Sequence, residues 1–198
     1  STRHYKEVCK YYNNTEIIII DGQDVPTIQE EYRKHIYFKR ELLEEPSKVL
    51  HPICFSIPKE KLVPSELVAV KEKELAQVIP GNQDTYTFTS EKDYYKDYEK
   101  SLYGITHKKG GWDCMRHLEV IANKCVPFFP GIDECPPHTM TDYPKAEIAE
   151  AYRHVQEGTM TQELYGTYCG KMYNHVAKNQ TTVAQAKRLV NIIKDANK

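Results

Sequence analysis

The sequence predicts an α/β fold, a parallel sheet with flanking helices, and three stretches carry that expectation. Residues 101–129, SLYGITHKKGGWDCMRHLEVIANKCVPFF, read as strand, glycine turn, helix and strand. A helical return between two strands makes them parallel. The strand expected over residues 16–20 ends in four isoleucines, a pattern of burial on both faces. After residue 129 the chain carries only loop and helix patterns.

In chain order, residues 2–12 suggest a short helix with Tyr5, Val8 and Tyr12 along one side. The strand at 16–20 leads into Asp21-Gly22-Gln23-Asp24. That tetrapeptide is either a polar loop bearing functional groups or a simple Asp-Gly turn. Residues 25–35 are polar and irregular, and 36–38 form a short strand. Lys39, Arg40 and Glu41 follow it, charges that either reach a ligand or solvate an edge. Prolines punctuate 51–64, so a boundary is expected near residue 65, between an N-terminal segment with linker (1–65) and a main domain (66–198). Strands are expected at 75–79 and 86–88, then a helix over 90–100 capped by Ser90 with Asp93 three residues on. Asp97-Tyr98-Glu99 lies inside that helix with its carboxylates on different faces, which argues against a metal motif. A strand at 102–106, a helix at 113–123 and a buried strand at 126–129 follow, then a proline-rich loop over 130–144. Helices are expected at 145–156 and 161–176, and a last one capped by Thr181 or Thr182 with Val183, Ala186, Val190 and Ile193 inward.

Composition bounds the rest. With 40% hydrophobic and 28% charged residues over 198 positions, the chain is globular rather than disordered. A net charge of −1 gives no electrostatic case for nucleic acid. The longest apolar run, 17–20, is far too short to span a membrane, and STRHYKEVCK is not a signal peptide. The chain begins in mid-pattern, as a fragment or excised domain would. Six cysteines occur with no C-x-x-C pair and no zinc-finger histidine spacing, which reads as free thiols in a reducing, cytoplasmic setting. The fifteen tyrosines read mainly as packing residues.

The turn at 107–112 has the chemistry for an anion. Gly110 and Gly111 let backbone N–H groups approach closely, and His107, Lys108 and Lys109 add positive charge. Trp112 closes the turn, and Asp113 is a good helix cap that would use one of the donors itself. The helix start adds unpaired N–H groups. Arg116 and Glu119 share one helix face, opposite Met115, Leu118, Ile121 and Ala122. Arg116 suits a diphosphate and Glu119 suits ribose hydroxyls; the alternative is a surface ion pair beside a glycine loop. In the loop after the last strand, His138, Thr139 and Met140 either close over a ligand or belong to an ordered surface loop. The competing view of metal use rests on Asp133, Glu134 and Asp142 in that loop.

The stretch GGWDCMRHLEVIANKCVPFF resembles the nucleotide-sugar-binding segment of GT-B glycosyltransferases, in the exostosin-like and the viral or spore-coat families. Their pattern G-x-D-x-x-R-x-x-E-x-x-x-x-G-x-x-P is met by Gly111, Asp113, Arg116, Glu119 and Pro127. Lys124-Cys125 departs from it, standing where the family has glycine or another small residue. IIIIDGQD, YFKREL and PICFSIPKEK resemble the segment linking the two GT-B domains, so the likeness covers roughly half the chain. The resemblance implies a Rossmann-like donor domain. It implies transfer of a hexosyl or pentosyl group from a UDP- or GDP-type nucleotide sugar to a glycan or glycoprotein hydroxyl, with no metal and no cofactor. Asp21 and Asp24 are the candidates for the general base. Residues 1–65 are too few for a full acceptor domain, so the acceptor half is either much reduced or supplied by a separate domain or chain. The alternative function is a non-catalytic module that binds a nucleotide or a protein partner.

Overall fold

The computed structural model describes residues 2–13, 16–67 and 70–196. The fold is α/β and contains two three-stranded sheets, each wholly parallel. After helix α1 (Thr2–Val8), the first sheet is built from β1 (Ile18–Asp21), β2 (Ile36–Lys39) and β3 (Leu50–Pro52) in that spatial order. The second holds β4 (Lys73–Leu75), β5 (Ser101–Ile105) and β6 (Val126–Phe128), again in chain order. Helix α2 (Glu91–Lys100) joins β4 to β5, and α3 (Met115–Ala122) joins β5 to β6. Helices α4 (Lys145–Gln156), α5 (Gln162–Asn179) and α6 (Thr182–Ala196) complete the chain.

The main core lies between the second sheet and helices α3, α4 and α5, around Leu118, Ile121, Val126, Phe129, Ile148 and Met172. A smaller cluster of Tyr37, Leu42 and Leu50 supports the first sheet. Gly104 sets the spacing on the α2/α3 side of β5. A Cβ there would lie 2.8 and 2.9 Å from the two methyls of buried Val120 and 3.1 Å from Tyr98. Helix α3 can approach the strand so closely only because that position is bare.

Several expectations shift. Strand β4 spans Lys73–Leu75 instead of 75–79. The Asp97 carboxylate accepts the Gln77 N–H at 2.7 Å, so the ladder ends there. Residues 86–88 are not a strand; the chain before them makes a 3-10 turn, Gln83–Thr85, capped by Asn82. Helix α3 starts at Met115, and Asp113 does not cap it. Strand β1 is an edge strand pairing only with β2, so Ile18 and Ile20 are exposed rather than buried on both faces. Helix α1 stops at Val8. Thr181 caps α6, but Val183, Ala186 and Val190 face solvent. Polar anchors fix the rotation of α6: Gln185 Nε2 donates to Asp142 Oδ2 at 2.8 Å and Arg188 Nη1 to the Pro52 carbonyl at 3.0 Å. The cap expected at Ser90 is present, and Thr161 caps α5 as well.

Lys124, the departure from the family pattern, has φ of 51°. It follows α3 in the left-handed position where glycine is favoured. Its amide and that of Cys125 close the helix end onto the carbonyls of Ile121 and Val120, and its ammonium reaches the carbonyls of Ser65 and Leu67, both at 2.6 Å. Those contacts offset the strain of a side chain there. No described helix is long and apolar enough to cross a membrane.

Gly104→Ala should destabilise the chain by about 1–3 kcal/mol through overpacking against Val120. Urea unfolding would measure this, and an unchanged midpoint would show that α3 can retreat freely.

Candidate functional site

The carboxyl ends of the two sheets meet, and the residues just beyond β2 make the junction. Glu41 is buried with φ of 56°. Its carboxylate accepts the Trp112 N–H through Oε2 and the Asp113 N–H through Oε1, each at 2.9 Å. Gly111 makes room for it, since a Cβ there would lie 2.6 Å from Glu41 Oε1. The glycine turn therefore does bind an anion, but that anion is the chain's own carboxylate. Beside it, the buried Arg40 donates to the Gly22 carbonyl from Nε (2.9 Å) and Nη2 (2.6 Å), and from Nη1 to the Asp113 carbonyl at 2.9 Å. Arg40 also pairs with Asp24 and lies over the Phe55 ring at 4.4 Å.

Asp113 is part of the same clasp. Its Oδ2 accepts the Phe55 N–H at 2.6 Å, and the Tyr143 hydroxyl lies against the same carboxyl. Burial pushes its carboxyl up to about 6, against the downward pull of the Phe55 amide, the Tyr143 hydroxyl and the Arg40 charge. His117 braces the turn from behind. It is fully buried, and burial pushes its imidazole down to about 4, so the ring is neutral. Its Nε2 must then donate to the Trp112 carbonyl (2.8 Å), and Nδ1 accepts from the Thr106 hydroxyl (2.8 Å).

Arg116 and Glu119 lie one turn apart on α3 among tyrosines. Arg116 Nη2 donates to the Tyr86 hydroxyl at 3.1 Å, whereas Nε and Nη1 are buried without a hydrogen-bond partner. Glu119 accepts from the Tyr94 hydroxyl at 3.1 Å and more weakly from Tyr95 at 3.4 Å, and burial raises its carboxyl. Tyr86 follows β4, and α3 follows β5, so Arg116 sits against the carboxyl edge of the second sheet. His107 closes the same edge: Nε2 is 3.2 Å from the Pro80 carbonyl and Nδ1 is 2.7 Å from the Lys108 carbonyl. Lys108 lies over the Trp112 ring at 5.0 Å, and Lys109 and Gly110 are exposed.

The other candidates divide. Asp24 is brought to the turn: its side chain is 58% exposed, and a Cβ on Gly110 would lie 3.4 Å from its Oδ2. Asp21 is not. It stands beside Lys39 in the strand register, pairs with that buried ammonium at 3.2 Å and accepts the Tyr37 hydroxyl at 2.8 Å. Thr139 is fully buried, and its hydroxyl donates to the Leu42 carbonyl at 3.1 Å, so it braces the loop instead of facing a ligand. His138 pairs with Glu45 at 3.1 Å, and Met140 is buried. Asp142 turns towards α6, held by Gln185 and by Arg188 at 3.4 Å. Among the described residues no three His, Cys, Asp or Glu side chains gather as a metal site would require. The roles of Arg40, Glu41 and His117 were not evident from the sequence, although a charged triplet straight after a strand was the available signal.

Comparisons with protein-family models, curated proteins and solved structures give no match to this chain.

Glu41→Ala would strip the buried amides of Trp112 and Asp113 of their acceptor. A loss of about 2–4 kcal/mol in urea unfolding is expected, and a loss under half a kilocalorie, roughly the scatter of surface changes, would show that water replaces the carboxylate. For Asp113 the folded-state value lies above the ordinary 3.8, so the folded chain holds the proton more tightly. The resulting stability is present below 3.8 and is lost as the pH rises through about 6. Asp113→Asn should therefore become more favourable, relative to the wild type, by up to about 3 kcal/mol between pH 4 and pH 7. Parallel stability curves for the two proteins would show that the carboxyl titrates as it does in water.

Proposed function

We propose that this chain binds a nucleoside-diphosphate sugar at the carboxyl edge of its second sheet, as the donor half of a GT-B-type glycosyltransferase. The observation that carries the reading is Arg116. A guanidinium has five N–H donors in a rigid fork. Here the hydrogen bond to Tyr86 engages Nη2, while Nε and Nη1 are buried without partners. Leaving such donors unused is costly, and a diphosphate would satisfy them with charge-assisted bonds. Parallel strands place ligands beyond their carboxyl ends, where this arginine lies.

Glu41 already fills the amides of Trp112 and Asp113. The leaving diphosphate is therefore stabilised by Arg116 with Lys108 and Lys109, side-chain cations in place of a divalent metal. Glu119 exchanges its tyrosine partners for ribose hydroxyls. Asp24 is the better-placed general base for the acceptor hydroxyl, because it is exposed beside Gly110 while Asp21 is locked to Lys39 and Tyr37. The acceptor is a glycan or glycoprotein hydroxyl brought by a further domain or chain.

Calorimetry with UDP- and GDP-sugars tests the donor site. Arg116→Ala should weaken nucleoside-diphosphate binding by about 1.5–3 kcal/mol and nucleoside binding less. Excess Mg²⁺ in place of EDTA should change affinity by less than roughly tenfold, about 1.4 kcal/mol. Equal binding by Arg116→Ala and wild type would reject the site. Donor binding without sugar transfer or donor hydrolysis would leave a nucleotide-binding module.

A further inference from the structure

A second concavity opens at the opposite, amino edge of the β4-β5-β6 sheet. It has a volume of about 920 Å³ and lies between residue 70, the starts of β5 and β6, and the outer face of α5. That volume is in the range of small-molecule sites, roughly 300–1,000 Å³. Leu102, Met160, Tyr165 and Val70 make its wall mostly apolar. Gly166 and Gly170 lie one turn apart on α5, and a Cβ at either would meet nothing within 4 Å, so the floor is open. Among the described residues the lining includes two cations, Lys71 and Lys124, and no Asp or Glu.

Lys71 is the informative residue. Burial lowers its affinity for a proton, and its ammonium donates to the carbonyls of Glu99 (2.8 Å) and Lys124 (2.7 Å). Those bonds use two of its three donors and none of its charge. The nearby Glu99 carboxylate pairs with Lys96 at 3.1 Å. Lys124 likewise spends two donors on carbonyls and lies over the Tyr173 ring at 5.1 Å. A half-buried ammonium bonded to neutral groups gains from a counter-anion in a site that excludes water. The apolar wall suits a hydrocarbon body more than a polyanion, and one or two spare donors suit one carboxylate.

From this charge complementarity we infer that the groove binds a hydrophobic carboxylate, a hydrocarbon chain whose anionic head meets Lys71 and whose body lies along Gly166 and Gly170. The site is separate from the carboxyl edge of the sheet and does not depend on nucleotide binding there.

The test uses decanoate, with 1-decanol as its uncharged analogue and acetate as the head alone, followed by calorimetry and NMR below the concentrations at which the probes self-associate. Decanoate should saturate one site and acetate should not bind. Lys71→Met keeps most of the stem and removes the charge; it should weaken decanoate by roughly tenfold or more while changing decanol less than about threefold. Gly166→Leu should fill the floor and weaken both by roughly tenfold or more. Leucine is the better helix former, so α5 should keep its thermal stability in that variant. Arg116→Ala, at the other edge, should leave decanoate binding unchanged. No saturable decanoate binding would overturn the inference, as would binding indifferent to Gly166→Leu, a Lys71→Met effect equal for decanoate and decanol, or loss of decanoate binding in Arg116→Ala.

Discussion

One carboxylate, that of Glu41, joins the two halves of the site. It is held in the left-handed region at the exit of β2 and receives two backbone N–H groups from the turn before α3. Three conditions must coincide for this. Gly111 must lack a side chain, Arg40 must hold the Asp113 carbonyl, and His117 must hold the Trp112 carbonyl from the other side. A buried carboxylate with two amide donors is well satisfied, whereas each partner left alone would be costly. The Asp113 carboxyl and the Phe55 amide add a second tie from the chain beyond β3. The relative placement of the sheet ends thus rests on these polar groups together with the burial of Cys54 and Ile57, beyond β3, in the main core.

That arrangement changes how the glycine turn is understood. Backbone amides near a helix start form a generic anion site. In this chain the amides are filled from within by Glu41. Arg116 is under-used by its surroundings, and its neighbours Tyr86, Tyr94 and Tyr95 supply hydroxyls that can exchange partners. Glu119 is half-buried among them, with its carboxyl raised by burial. A polar ligand entering there would replace tyrosine hydroxyls with its own and would not need to strip away a strong ion pair.

Local pattern made much of this legible. The β5–α3–β6 unit was readable because its hydrophobic period changes from strand to helix and back around a glycine turn. The cap at Ser90 was readable because a cap is a contact across three residues. The junction was not, because Glu41 reaches partners 71 and 72 positions away. Nothing in a window around Glu41 distinguishes a buried clasp from a solvated edge. The same limit explains α6. Its apolar stripe was plain, but Gln185 and Arg188 find distant oxygens on Asp142 and Pro52, and those turn part of the stripe outward. Strand β1 has three isoleucines among its four residues, yet whether a strand is central or an edge is decided by topology, not composition.

The position of β1 bears on the behaviour of this chain in concentrated solution. An edge strand with an unpaired row of N–H and C=O groups is a template for strand addition, and β-branched runs without proline favour it. Ile18 and Ile20 are exposed on that strand. The run is bracketed by Glu16 and Asp21, charges of the kind that act as gatekeepers against stacking. In the folded chain Asp21 is paired with the buried Lys39 ammonium, whereas Glu16 is exposed. A strand added at this edge would therefore meet the exposed Glu16 carboxylate at one end of the isoleucine run.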